Sequence, residues 1–306
     1  MYYDDRDYHR RNSRNGMSSR ARKRRMRRRI KIAIGIIKLC MMLAVVVGLL
    51  LLVRNSDVFL NRNQKKVQKD AGNVSKEDEN HTSDIPVSEV SNTGDNKLNE
   101  ILANSEKYPE ELLELLTKNP ETLDFVYDYP DNHNKVFNID ISQDINTGKV
   151  PLFIQWDERW GYSSYGDSMI AVNGCGPTCL SMVAAYILHD EKMNPKWMAK
   201  FSETNGYISE SGTSWLLMSE GAKELGLESI EIPLDENRIL NNLMAGNLII
   251  CSMGPGVFTT EGHFIVMTGI KNGKIVVNDP NSRERSEKLW DYDEIKSQIK
   301  NLWVFR

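Results

Sequence analysis

Asn173-Gly174-Cys175-Gly176-Pro177-Thr178-Cys179-Leu180-Ser181-Met182-Val183-Ala184-Ala185-Tyr186-Ile187-Leu188 is the stretch on which the fold turns. From Cys179 onward it reads as a helix. Pro177 suits a first helical turn, where a missing N–H costs nothing. The spacing therefore places the Cys175 thiol at a helix N-terminus. The partial positive charge there favours thiolate, the nucleophilic form, over thiol. Moving outward, a histidine stands in Glu261-Gly262-His263-Phe264, a carboxylate in Val277-Asn278-Asp279-Pro280 and an amide in Phe153-Ile154-Gln155-Trp156. Nucleophile, base, base-orienting carboxylate and amide donor are the groups a thiol hydrolase needs.

The elements around this stretch predict an α+β fold in which helices come first and an antiparallel sheet second. Helices are expected over 195–204 and 214–225, and a further one from an Asp235 cap to Gly246. The period then changes. Asn247–Met253 is a short apolar run of strand type. His263–Ile270 and Lys274–Asn278 flank Lys271-Asn272-Gly273, and Asn-Gly is a strong hairpin signal. Asn301–Arg306 is a candidate last strand.

In such a hairpin His263 begins one strand and Asp279 follows the next, so the two ends meet on one side of the sheet. Asp279 is then placed to accept from the His263 ring and fix its tautomer. The Gln155 amide and the Cys175 backbone N–H are candidate donors to the oxyanion of a tetrahedral intermediate. Taken singly, each residue has a bland reading: a buried cysteine, a core histidine, a turn aspartate, a surface glutamine. Their joint occurrence in this order favours catalysis. Trp215 and Phe258 are expected in the core rather than in a pocket wall.

The first half of the chain is a different object. Residues 1–38 hold 14 Lys/Arg against 3 Asp, a net +11, so in a chain of 306 residues and net charge −3 the remainder carries −14. The basic arm, 1–31, runs into an apolar span over 32–53 interrupted only by Lys38. About 20 apolar residues of helix cross a bilayer, and the basic flank places the N-terminal side in the cytoplasm. The expectation is a single transmembrane signal anchor with the body outside the membrane. The alternative is a cleaved signal peptide, but no small-x-small pattern follows Val53. A basic run directly before a span is accounted for by topology and anionic headgroups, so no nucleic-acid partner is expected. Residues 54–96 are polar and read as a disordered stalk, and 97–147 as a helical lead-in, with Asn119-Pro120-Glu121 as a cap followed by proline at the first helical position.

Cys40 lies in the span. Cys175 and Cys179 are one helical turn apart, a poor geometry for a bridge, which leaves a Cys179–Cys251 bridge open. There is no CxxC pair and no zinc-type ligand cluster, so no metal and no cofactor is expected.

The run Val150-Pro151-Leu152-Phe153-Ile154-Gln155-Trp156-Asp157-Glu158-Arg159-Trp160, with Tyr165-Gly166, Gly174-Cys175-Gly176-Pro177-Thr178, Gly212-Thr213-Ser214-Trp215, Gly262-His263-Phe264-Ile265-Val266 and Asn278-Asp279-Pro280, resembles the papain-like cysteine peptidases. It is most similar to the bacteriocin-processing type, cysteine peptidase family thirty-nine, here in a stand-alone, membrane-anchored form. The likeness covers 148–306. It implies a central helix carrying the cysteine, packed on an antiparallel sheet, with Cys175 as nucleophile, His263 as base, Asp279 as its orienter and Gln155 as oxyanion donor. Cys179 stands where similar proteins often carry serine. Those peptidases are fused to an exporter in the cytosol and cut leaders after a double glycine; this setting differs, so that substrate is not carried over.

Three functions are thus set against one another. The first is a membrane-anchored thiol peptidase acting on peptides or exported proteins at the outer membrane face. The second is a cell-wall stem-peptide amidase or transferase on the same scaffold. The third is a catalytically silent peptide-binding module.

Overall fold

The computed structural model describes residues 87–209 and 212–306, with side chains from residue 93 on. The expected arm, membrane span and stalk as far as residue 86 lie outside the described residues. Among those described, no helix is long and apolar enough to cross a membrane.

The lead-in is helical, as its sequence predicts: α1 (Val87–Ala103), α2 (Glu110–Lys118) and α3 (Leu123–Tyr127). One boundary is corrected. Helix α1 begins at Val87, inside the stretch read as stalk, so the division drawn at residue 96 falls within a helix. Asn119 acts as the cap the sequence predicts, its Oδ1 accepting the Glu121 N–H at 3.2 Å with Pro120 at the first helical position.

The rest of the chain is mixed helix and sheet. Helix α4 (Cys175–Leu188) starts at the cysteine and is followed by α5 (Pro195–Thr204). The stretch after Ser214 winds in wider, π-type turns over Leu217–Gly221 before a last α turn at Ala222–Glu224. The Asp235 cap forms as expected, its Oδ1 accepting the Arg238 N–H at 2.9 Å at the head of α6 (Glu236–Met244). A short helix α7 (Arg283–Glu287), capped by Ser282, was not read from the sequence.

One antiparallel sheet holds β1 (Ser229–Glu231), β2 (Leu248–Met253), β3 (His263–Lys271), β4 (Lys274–Asn278), β5 (Leu289–Trp290) and β6 (Ile299–Phe305) in the order β1-β6-β2-β3-β4-β5. The β3–β4 hairpin turns on Asn272 and Gly273, both with positive φ (54° and 75°), the conformation an Asn-Gly turn requires.

Strands β2, β3 and β6 are buried on both faces, and their side chains alternate between two cores. Leu248, Ile250, Phe264, Val266, Trp303 and Phe305 pack with α4 residues such as Leu180 and Val183. Ile249, Cys251, Ile265, Met267, Leu302 and Val304 pack on the other face with Ile239 and Leu243 of α6. Each fully buried aliphatic side chain here stabilises the fold by roughly 2 kcal/mol. Helix α4 is buried on nearly all sides, which explains an apolar sequence with no polar stripe.

A third cluster joins the lead-in to the segment entering α4. Ile101, Leu112, Leu115, Phe125 and Val126 pack on Ile154, Trp156, Met169 and Ala171. The lead-in is thereby part of the same compact unit.

Candidate active site

Cys175 opens α4 after Gly174, the N-cap, whose carbonyl accepts the Thr178 N–H at 3.0 Å while no side chain caps the helix. The glycines around the cysteine answer to close packing. A Cβ on Gly174 would lie 2.5 Å from the Ile170 carbonyl oxygen, and one on Gly176 would lie 2.6 Å from Thr213 Cγ2. Only glycine lets this helix start pass so close to its neighbours.

His263 is the first residue of β3 and pairs across the sheet with Met253. Its ring is buried, and its Nε2 makes a 2.7 Å hydrogen bond with Asp279 Oδ1. That bond commits Nε2, so Nδ1 is the ring nitrogen that Asp279 does not engage. Cys175 lines the same groove as the ring and, by its charge, favours the imidazolium. Burial works against that charge, but Asp279 outweighs it, and the His263 pKa is raised.

Asp279 is fully buried and saturated with donors. Its Oδ1 also accepts the Asn281 N–H at 2.8 Å, and its Oδ2 accepts the Arg285 Nε–H at 2.6 Å. Its backbone N–H donates to Ser286 Oγ at 2.8 Å. Burial would push its pKa up; His263 and Arg285 reverse this and hold it below the usual carboxylate value.

Gln155 reaches the same groove but not in the posture its expected role requires. Its Nε2 donates to the Ala171 carbonyl at 2.7 Å, with Val172 O at 3.4 Å, and its buried Oε1 has no partner among the described residues. The carbonyls of the turn just ahead of α4 point at this amide and take its hydrogens. Its backbone N–H donates to Pro280 O at 2.7 Å, which ties the glutamine to the loop after Asp279.

Cys175, His263 and Gln155 therefore line one groove of about 810 Å³. Trp215 and Phe258, read as core, also line it. Phe258 is buried against Trp290, whereas Trp215 is 47 % exposed and sets its ring edge-on to Trp303. The lead-in contributes a wall as well, through Glu111 and Leu115 of α2. Lys118 of α2 faces Glu261 at 3.7 Å, across to the loop that leads into His263.

The bridge left open between Cys179 and Cys251 is not formed; both are free and buried, and burial pushes both thiols up. Cys175 is the partly exposed one among the described cysteines. Among the described residues no cluster of His, Cys, Asp or Glu could hold a metal ion.

The sequence reading missed Arg285 and the lead-in wall. A signal for the first was present: Ser282 is a helix cap, and its Oγ accepts the Arg285 N–H at 3.0 Å, which sets Arg285 one turn into a helix beside Asp279. For the second there was none, because the chain contact between α2 and the groove is tertiary.

The Peptidase_C39 like family model matches residues 147–305. The chain belongs to the Peptidase_C39 like family. Membership points to cysteine peptidase activity, and the residues of the geometry above, from Gln155 to Arg285, all fall within the matched range. No curated protein matches the chain at a significant level. Among solved structures, the peptidase domain of Streptococcus ComA, a bi-functional ABC transporter involved in a quorum sensing pathway, is similar at 25% identity over 44% of this chain and 90% of that one, with a TM-score of 0.34. A double glycine motif protease from an AMS/PCAT transporter, in complex with the leader peptide, is similar at 18% identity over 53% and 95%, TM-score 0.34. A C39-like peptidase from Bacillus anthracis is similar at 16% over 52% and 96%, TM-score 0.32.

Proposed function

We propose that this protein is a membrane-anchored cysteine peptidase that hydrolyses peptide bonds outside the membrane through Cys175, His263 and Asp279. The observation that carries the reading is the His263 Nε2–Asp279 Oδ1 bond of 2.7 Å, with Cys175 at a helix N-terminus in the same groove and in electrostatic reach of the ring. In this reading His263 Nδ1 takes the thiol proton, and the Cys175 sulfur attacks the substrate carbonyl carbon. The C=O electron pair moves onto oxygen. That oxyanion accepts from the Cys175 backbone N–H, a first-turn donor with no intrahelical acceptor, and from Gln155 Nε2 once the amide turns one hydrogen away from Val172. His263 then gives its proton to the leaving amine nitrogen as the C–N bond breaks. A water molecule, deprotonated by His263, attacks the thioester, and the C–S bond breaks to release the carboxylate and restore the thiol.

The groove is open, with Trp215 as an exposed aromatic platform. Residues 32–53 serve as the anchor, with the basic arm inside and the 148–306 domain outside, an arrangement supported by the charge of the flanks. The test is iodoacetamide labelling of the full-length protein, with the modified peptide mapped. Labelling at Cys175, lost in His263→Ala, together with peptide hydrolysis lost in Cys175→Ala, supports the reading. A Cys175 that stays unlabelled in the folded wild type, with no hydrolysis of peptides, contradicts it.

A further inference from the structure

We propose that Arg285 is a positioning residue for the reaction: by donating its Nε–H to Asp279 Oδ2 it fixes the carboxylate that orients His263 and shares that carboxylate's charge. The inference rests on the triad reading above and deepens it. The two oxygens of Asp279 are divided. Oδ1 takes His263 Nε2 at 2.7 Å and the Asn281 N–H at 2.8 Å, and Oδ2 takes Arg285 at 2.6 Å. Asp279 has no exposed surface, so water cannot substitute for a missing donor. A buried carboxylate with one oxygen unpaired is costly to keep ionised. Arg285 removes that cost, and it also holds the carboxylate plane so that Oδ1 stays on the imidazole.

The guanidinium is itself held at its base. The Arg285 N–H donates to Ser282 Oγ at 3.0 Å, and the Arg285 carbonyl accepts from Trp290 Nε1 at 3.0 Å. These bonds fix the backbone of Arg285 one turn into α7, beside Asp279. The cation also draws part of the anionic charge away from His263. With Arg285 neutralised, the whole charge of Asp279 faces the ring and the imidazolium is held more firmly, so its proton leaves at higher pH.

The other charged and titratable groups around the pair are few. Cys175 and Cys179 face it from α4, and Glu121 of the lead-in sits against the start of α7. Arg283 and Glu284 share α7 with Arg285, and Arg283 lies over the Trp156 ring at 5.4 Å. The Lys118–Glu261 pair flanks the loop before His263.

The test is an NMR pH titration of the His263 imidazole in full-length Cys175→Ala protein, with and without changes at Arg285. Arg285→Met is expected to raise the His263 midpoint by about one pH unit, the size expected for loss of a nearby charge. Arg285→Lys, which keeps the charge, is expected to leave it within about a third of that shift. In protein with the nucleophile intact, the alkaline limb of kcat/KM moves with the midpoint for Arg285→Met. Where Arg285→Met does not fold, Arg285→Gln, neutral but still a donor, gives the same reading. Coincident titrations for wild type and the neutral variant overturn the proposal, as does an Arg285→Lys shift as large as that of Arg285→Met. The NMR midpoint is read without a nucleophile, so a wild type that hydrolyses no peptide counts against the peptidase reading and leaves the Arg285 result standing.

Discussion

Glu121 of the lead-in accepts the backbone N–H of Arg283 at 2.8 Å and the hydroxyl of Ser282, and so sits across the start of the helix that carries Arg285. Beside it, Asn119 Nδ2 donates to the Asn281 carbonyl at 2.5 Å. Both residues lie outside the family-matched range, 147–305, yet both hold the loop that follows Asp279. The lead-in is thus built into the support of the candidate triad as well as into the groove wall. Glu121→Ala removes a cap-like acceptor and should lower stability by about 1 kcal/mol, the usual cost of losing such a cap. Thermal unfolding of the variant should show a midpoint lower by about 3 °C. An unchanged midpoint would mean that this contact does not hold the loop.

The His263–Asp279 pair gives stability a defined pH dependence. The Asp279 pKa is lowered from 3.8 in the folded state, so its contribution is complete above that value and is lost as the pH falls through the lowered one. The His263 pKa is raised from 6.5, so its contribution is complete below that value and is lost as the pH rises through the raised one. Both are complete together between 3.8 and 6.5. Asp279→Asn should therefore cost most in that window, about 3 kcal/mol for a broken buried pair, and less above it. Denaturant melts of wild type and variant across the pH range measure the difference. A gap that widens from pH 6.5 upward would contradict the assignment.

Gly176 lies where α4 passes Thr213, and an added Cβ would sit 2.6 Å from that side chain. The Gly212–Thr213 strand must move to admit it. Gly176→Ala should destabilise by about 1–3 kcal/mol, the range for overpacking, despite alanine's better helix propensity. Equilibrium unfolding in urea tests this, and a stabilised variant would show that the helix start is looser than its packing implies.

Much of this site was legible because its parts are local. Asn-Gly fixes the β3–β4 hairpin, and the hairpin, with a register shift between Met267 and Gly269, brings His263 towards Asp279. Pro177 and the glycines fix where α4 starts, and so where Cys175 sits. Asp235 and Asn119 announced their caps. What escaped was long-range. The β1 and β5 strands are two or three residues long and carry no period of their own. Trp215 reads as core by its type, but its exposure is decided by which wall it ends in. The orientation of the Gln155 amide depends on carbonyls of the turn ahead of α4, which no residue pattern reveals. The start of α1 inside a polar run shows that composition alone misplaced the end of the stalk.

In the proposed reaction Cys175 attacks a peptide carbonyl and water completes the cycle. Its most direct measurement is digestion of a peptide library by the full-length protein in ¹⁸O-labelled water, followed by mass spectrometry of the fragments. Cleavage with one ¹⁸O atom in each new C-terminal carboxylate is expected, and no cleavage by Cys175→Ala. Products joined to added amines in place of ¹⁸O, or equal cleavage by the Cys175→Ala protein, would contradict it.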